Sequence, residues 1–411
     1  MTAALGASGA GSRGATWCGS GEAASDRLPD AVAAQQIHVI YAIPLDGQDG
    51  FAEDAPLIVA DLRALDAWWH REDPTREPRF DLFAFQGCSL GLDALDLSSV
   101  RLPHDTSYYQ PIDGRSDKLR VDLEGAFGHP AKKDLVYYDG QVDVEFDCGQ
   151  SEIAPDTGAF SFVYLQAAGC THDLGAGGGT AGYTAHELLH NLGAVPEEAP
   201  HFCFEHSVCD WYWDVEMQFP TGDPIAKLIL DYGRDDYYGH SGSWFDVQDS
   251  PWLSHVDAPL EGLAVSFSGK GQGSVASDLP GIACPGTCSI GWEQGAAVVL
   301  RATAAAGSRF LGWHGACSGA AECTVTMDGP KQVSATFASA VVTVAVSIRG
   351  RGTVTSSPRG ITCPGRCSAR FASGTIVQLR PKGRVGWRLA RCACRVYADD
   401  DKRVLVAFRK R

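Results

Sequence analysis

The sequence predicts an α/β (α+β) domain followed by two small all-β repeat domains. Three observations carry this expectation. Strand-like and helix-like stretches alternate through the first two-thirds of the chain. Beyond about residue 262 short alternating stretches such as VTVAVSI and TIVQLRP replace them. In that second region one ordered set of landmarks occurs twice. A length of 411 residues suits two or three domains, and 45% hydrophobic with 20% charged residues suits a folded chain. The expected divisions are a leader or flexible N-terminal arm at 1–35, a main domain at 36–262, and modules at 263–340 and 341–411.

Residues 1–35 are rich in Ala, Gly and Ser, and Cys18 is the one residue there expected to be tied down. The opening MTAALGASGAGSRGATW has no basic start and only a feeble apolar stretch, so it does not read as a signal peptide. QIHVIYAIP (36–44) reads as a strand from its β-branched and aromatic content. PLIVADLRALDAWWHRED (56–73) places Leu57, Leu62, Leu65 and Trp68 at helical spacing. RFDLFAFQG and FSFVYLQAAG are further strand candidates. GAGGGTAG (175–182) has no closing Gly-Lys-Ser/Thr, so it is expected to be a mobile loop at a cleft rim rather than a phosphate cradle.

The repeat runs GKGQGSV, GIACPGTCS, FLGWHGAC, VSATF and then GRGTVTS, GITCPGRCS, VGWRLARC, VLVAF. Cys284 is answered by Cys363, Trp313 by Trp387 and Phe337 by Phe408. The modules resemble disulfide-bearing β-repeats found in tandem on bacterial secreted and surface proteins. Of the fourteen cysteines, six precede residue 262, four lie in 263–340 and four in 341–411. Even counts without CxxC pairs suit disulfides within domains and a secreted, extracellular location. Cys392 and Cys394 are so close in sequence that pairing each with Cys363 or Cys367 is the preferred expectation. No run of about 18 apolar residues exists to suggest a transmembrane helix. Charge is sharply divided: 14 Lys/Arg against 43 Asp/Glu in 1–262, four against four in 263–340, and 16 against 3 in 341–411.

The chemistry-bearing stretch is HELLH. His186 and His190 are four apart, so on a helix both imidazoles leave one face and can grip one zinc ion. Glu187 beside them can take a proton from a water at the metal and hand it to a leaving amine. Together these three residues supply the core of a peptide-hydrolysing site. Asn191-Leu192-Gly193 offers the helix a C-terminal stop.

HELLHNLG resembles the metzincin pattern HExxHxxG, and the wider stretch 183–254 resembles secreted bacterial zinc metalloproteases of that type. The resemblance implies a zincin fold over 36–255, a third ligand after the glycine, and a methionine turn beneath the zinc, for which Met217 in DWYWDVEMQF is the candidate. An ordinary core role for Met217 stays open. Where a metzincin would place its third ligand, this chain has Pro196. His201 is the preferred replacement and His206 the alternative, with a carboxylate such as Glu205 behind them. Asp235, Asp236 and Asp246 are weighed as calcium ligands against a solvated acidic face. Cys18 is read as a disulfide partner rather than a latency thiolate.

These readings converge on a secreted zinc endopeptidase acting on protein or peptide substrates, its repeats serving for anchoring or spacing. The basic segment 341–411 is a candidate for binding an anionic cell-wall or surface polymer; no nucleic-acid motif accompanies it. The competing expectation is a catalytically inactive zincin-like surface or adhesion protein, against which the intact Glu187 speaks.

Overall fold

The β-branched and aromatic run around residue 40 becomes the second strand of a five-stranded sheet. In chain order the N-terminal elements are β1 (Ile37–Ile43), α1 (Phe51–Glu72), β2 (Arg76–Pro78), β3 (Leu97–Arg101), α2 (Thr106–Tyr109), α3 (Arg115–Phe127), β4 (Lys133–Gln141), β5 (Gly149–Ser151), β6 (Phe160–Gln166), α4 (Gly179–Leu192) and β7 (Leu253–His255). This computed structural model describes residues 17–19, 26–128, 131–143, 147–217 and 222–411. The chain divides into two compact units, the first essentially Met1–Leu260 and the second essentially Glu261–Arg411.

In the first unit the sheet order is β3-β1-β4-β6-β5. Neighbouring pairs are parallel except the last, where β5 runs antiparallel along the edge. Every residue of β1 is buried, as expected of a parallel strand covered on both faces. The period of two sorts its side chains: Val39, Tyr41 and Ile43 join a core with Leu62 and Trp69 of α1 and Leu188 and Leu189 of α4. Ile40 and Ala42 join a second core with Leu119 and Leu123 of α3. RFDLFAFQG departs from expectation. It makes isolated bridges at Phe80 and Leu82 but no strand.

Residues 1–16 and 20–25 of the expected arm lie outside the described residues. Trp17 is buried and donates its indole N–H to the Leu95 carbonyl at 3.0 Å. Cys18 is bonded to Cys88, as its disulfide reading requires. Lys132 Nζ donates to Asp26, Asp30 and Asp81 at 3.0, 2.9 and 2.6 Å, fixing the segment that leads into β1.

The second unit is all β. Its strands are β8 (Leu260–Gly269), β9 (Gly273–Ser277), β10 (Ala283–Cys284), β11 (Ser289–Glu293), β12 (Ala297–Ala304), β13 (Ser308–Gly315), β14 (Cys323–Thr326) and β15 (Lys331–Ser339). They are followed by β16 (Val341–Arg349), β17 (Gly352–Ser357), β18 (Thr362–Cys363), β19 (Ser368–Ala372), β20 (Thr375–Gly383), β21 (Trp387–Arg391), β22 (Arg395–Ala398) and β23 (Lys402–Lys410). Sheets β10-β9-β12-β14 and β11-β8-β15-β13 recur as β18-β17-β20-β22 and β19-β16-β23-β21. The second pair of sheets shares one core in which Val344, Val406 and Phe408 meet Val354, Val377 and Leu379. The repeat is therefore one of strand order as well as of sequence.

Two details differ from expectation. Phe310 lies opposite Phe337, and Leu389 lies opposite Phe408. In that register Trp387 corresponds to Ser308, so it does not occupy the position of Trp313. The disulfide preference is also corrected: Cys363 pairs with Cys367, and Cys392 with Cys394. Their Cα separations of 4.5 and 5.0 Å are within disulfide reach. The chain passes from one sheet to the other between β21 and β22, and this tight connection draws Cys392 and Cys394 together. All fourteen cysteines are bonded, none across the divisions at 262 and 340.

Candidate metal centre

Helix α4 is buried at all fourteen positions, and its ends are set by side-chain and glycine chemistry. At the start, Asp173 accepts the amides of Gly179 at 3.0 Å and Thr180 at 3.0 Å, satisfying donors that the helix cannot use. The second half of GAGGGTAG is thus the first turn of a helix rather than loop. Within the first half, Gly175 and Gly177 donate to Asp61 of α1, both at 2.9 Å. At the other end Gly193 takes φ 98°, the left-handed cap anticipated for it. Lys133 Nζ donates to the Asn191 carbonyl at 2.6 Å and fastens the last turn to β4.

On this frame the His186 and His190 rings lie 4.5 Å apart, with their Nε2 atoms separated by 3.1 Å. His186 Nδ1–H donates to the Val215 carbonyl at 2.8 Å. Its Nε2 is therefore the lone-pair nitrogen, the tautomer a metal requires. Burial lowers the His186 pKa to about 4, partly opposed by the Val215 carbonyl. Burial, then His186 and His206, hold His190 well below its ordinary value. Burial thus disfavours the charged form of both rings, and two imidazole nitrogens meet in a site screened from water.

Glu187 is also buried. Burial pushes its carboxyl up to about 8, with Asp147 adding to the rise and a hydrogen bond from Ser151 opposing it. It faces the edge strand. A Cβ added to Gly149 of β5 would fall 2.5 Å from both Glu187 Cγ and Oε1. The Cys148–Cys170 disulfide anchors the start of β5.

The two candidates for a third histidine go to different places. His201 is drawn to Asp236, which accepts its backbone N–H at 2.8 Å and its Nδ1–H at 3.0 Å. This hydrogen bond and the charges of Asp236, Asp210 and Asp235 raise its pKa. His201 thus belongs with Asp210 and Asp236, apart from the α4 pair. His206 lies inside the loop closed by Cys203–Cys209 and donates Nδ1–H to the Val195 carbonyl at 3.0 Å. Both residues of that bond have left-handed backbone, φ 51° at β-branched Val195 and 60° at His206. The Glu205 side chain lies outside the described residues.

Met217 lines a small cavity with Gly179, Gly182 and Tyr183, towards the first half of α4. The side chain against the histidines is its neighbour Glu216, with Oε2 3.4 Å from His186 Nδ1 and 3.3 Å from His190 Nε2. Sequence reasoning passed over Glu216 in favour of the scarcer methionine beside it. DVEM carries no local pattern that marks Glu216 as a ligand.

Of the calcium candidates, Asp246 accepts the amides of Gly239, His240 and Gln248. Asp231, Asp235 and Asp236 form an acidic group whose Asp231 accepts the amides of Tyr237 and Tyr238 at 2.8 and 2.6 Å. The Asp231 and Asp246 carboxylates thus organise the 231–248 loop. Among the described residues no helix is long and apolar enough to cross a membrane.

No curated protein matches the chain. Among solved structures, the Bacillus anthracis TIE protein overlaps 38% of this chain at 7% identity and TM-score 0.19, and the chain spans 35% of that protein. Catalytically inactive OgpA from Akkermansia muciniphila, in complex with an O-glycopeptide (glycodrosocin) substrate, overlaps 88% of this chain and 87% of its own at 10% identity and TM-score 0.30. Wild-type OgpA overlaps 92% and 88% at 10% identity and TM-score 0.29. Scores this low establish no shared fold. A family model does match locally: residues 264–341 are similar to the divergent InlB B-repeat domain. The C-terminal region is thus a β-repeat region whose first copy resembles that domain.

Proposed function

We propose that this chain is a secreted zinc-dependent endopeptidase. The observation that carries this reading is the pair of buried imidazoles on α4 with facing nitrogens 3.1 Å apart and a buried glutamate between them in sequence. The donor set suits zinc: His186 and His190 each offer Nε2, and among the described residues neither Glu216 oxygen has a hydrogen-bond partner. Zinc held there would polarise a substrate carbonyl and lower the pKa of water at the site. With the charge of zinc favouring its ionised form, Glu187 would accept the proton from the attacking water and return it to the leaving amine, acting first as base and then as acid. Its burial withholds the carboxylate from bulk solvent, which strengthens its interactions with nearby charge.

Strand β5 supports a peptide substrate. It is an antiparallel edge whose outer side has no partner among the described strands, and an extended chain can add to such an edge through backbone hydrogen bonds. Gly149 keeps that edge close to Glu187. His201 is not carried forward as a ligand, because it lies with Asp210 and Asp236 rather than with the α4 pair.

The seven disulfides and the B-repeat segment support secretion. The domain reading assigns 36–262 to catalysis and 263–340 and 341–411 to anchoring or spacing. Fifteen of the sixteen Lys and Arg residues in 341–411 are exposed, which supports docking to an anionic surface polymer. Zinc-loaded full chain should cleave unfolded casein, and Glu187→Ala should lose roughly 10²–10⁴ of that cleavage while keeping the metal. A zinc-loaded chain inert towards varied peptides and glycopeptides would favour the inactive surface-protein reading instead.

A further inference from the structure

Glu216 presents a buried carboxylate that the protein leaves unanswered. The residue is fully buried, and among the described residues neither Oε1 nor Oε2 has a hydrogen-bond partner. Carboxylates are buried at a large cost in solvation unless a positive charge or several donors meet them. No Lys or Arg forms an ion pair with it among the described residues; its Oε2 lies 3.3 Å from His190 Nε2, and 3.4 Å from the His186 Nδ1 that donates to Val215. Potential donor atoms of His186, His190 and Glu216 all lie within 4.8 Å of one another. Bond lengths of about 2.0–2.2 Å from nitrogen and oxygen to zinc place donor atoms roughly 3–3.5 Å apart around one ion.

We infer that Glu216 is the third protein ligand, so that a zinc ion is held by two imidazoles and one carboxylate. The assignment rests on reading the α4 pair as a zinc site. One short turn builds two parts of it: the Val215 carbonyl sets the His186 tautomer, and the next residue delivers the carboxylate. That turn is itself fixed, because Glu216 N–H donates to Asp214 Oδ1 at 2.9 Å and its carbonyl accepts the Val208 amide at 2.9 Å. Asp214 in turn is held by the Tyr232 amide and the Tyr237 hydroxyl, both at 2.7 Å. A carboxylate also neutralises one of the two charges of the ion, which a third imidazole does not. Neither His201 nor His206 belongs to that three-residue group, and His201 lies instead with Asp210 and Asp236.

The test is zinc-edge X-ray absorption on the purified full chain, combined with competition measurements of zinc affinity in Glu216→Gln, Glu216→Ala and His206→Ala. The expected spectrum contains two imidazoles and a further oxygen shell. Glu216→Ala should weaken zinc binding by more than about 100-fold, since even residues behind the ligands are worth 10–100-fold. His206→Ala should stay within about tenfold of wild type. Three imidazoles in the wild-type spectrum would overturn the assignment, whether or not the variants fold. So would undiminished affinity in Glu216→Ala with loss in His206→Ala. A wild-type chain that binds no zinc would overturn the zinc reading itself, and is distinguishable from a chain that binds zinc through other residues.

Discussion

Helix α4 and the segment that follows it each carry two histidines, and the fold treats the pairs differently. His186 and His190 share one buried face, with nitrogens 3.1 Å apart. His201 and His206 are only five residues apart, yet one binds Asp236 and the other the Val195 carbonyl. The contrast comes from backbone regularity. A helix fixes the separation of residues i and i+4 whatever surrounds it. In the following segment, Pro196, the Cys203–Cys209 bond and left-handed backbone at Val195 and His206 set each direction separately. Spacing therefore predicts which side chains meet on a helix but gives little guidance in a loop.

Four substitutions would break or sharpen this contrast. Glu187→Ala should have the largest effect, a loss of roughly 10²–10⁴ in peptide cleavage at unchanged zinc content, as for removal of a general base. A parallel loss of zinc would move Glu187 from proton transfer to metal binding. Gly149→Ala comes next. Its Cβ would lie 2.5 Å from Glu187 Oε1 and 2.6 Å from the Phe162 carbonyl, so cleavage should fall by about 100-fold through displacement of the base. Comparing kcat with zinc affinity checks that the metal is untouched.

Gly193→Ala tests the end of the helix. Gly193 has φ 98°, and an added Cβ would approach Pro155 Cβ to 2.8 Å. Thermal unfolding should show a loss of about 1–3 kcal/mol. His201→Ala should have the smallest effect, no more than about 0.5 kcal/mol, because the His201 side chain is 42% exposed and its ion pair is screened. Its pH dependence is more informative than its size. Asp236 raises the His201 pKa above 6.5, with Asp210 and Asp235 adding to the effect. The folded state therefore binds the proton more tightly than the unfolded chain does. The stabilisation is fully present below about pH 6.5 and fades as pH rises through the raised value. Denaturant midpoints of wild type and variant should converge at alkaline pH; a gap that widens there would contradict the Asp236 pairing.

The same division governs what was legible in the sequence. HELLHNLG led to α4 and its glycine cap because both features are local. QIHVIYAIP led to β1, and repeated landmarks led to two modules of matching strand order. Strand β4 is hard to read from sequence although it lies at the centre of the sheet, because Lys133, Asp134 and Asp139 bracket a short apolar run. RFDLFAFQG has strand composition but finds only isolated partners. The Cys392–Cys394 bond depends on a connection between two sheets, which pairwise spacing does not describe. Glu216 is not legible because its place beside the histidines depends on a turn that Val208 and, through Asp214, Tyr237 hold from outside the DVEM stretch.

Metal content tests the central claim most directly. Elemental analysis of the purified full chain after dialysis against trace zinc, beside a His190→Ala control, measures whether the α4 pair holds an ion. The account predicts one zinc per wild-type chain and a large loss in the variant. A wild-type chain without zinc, or equal zinc in both proteins, would contradict it.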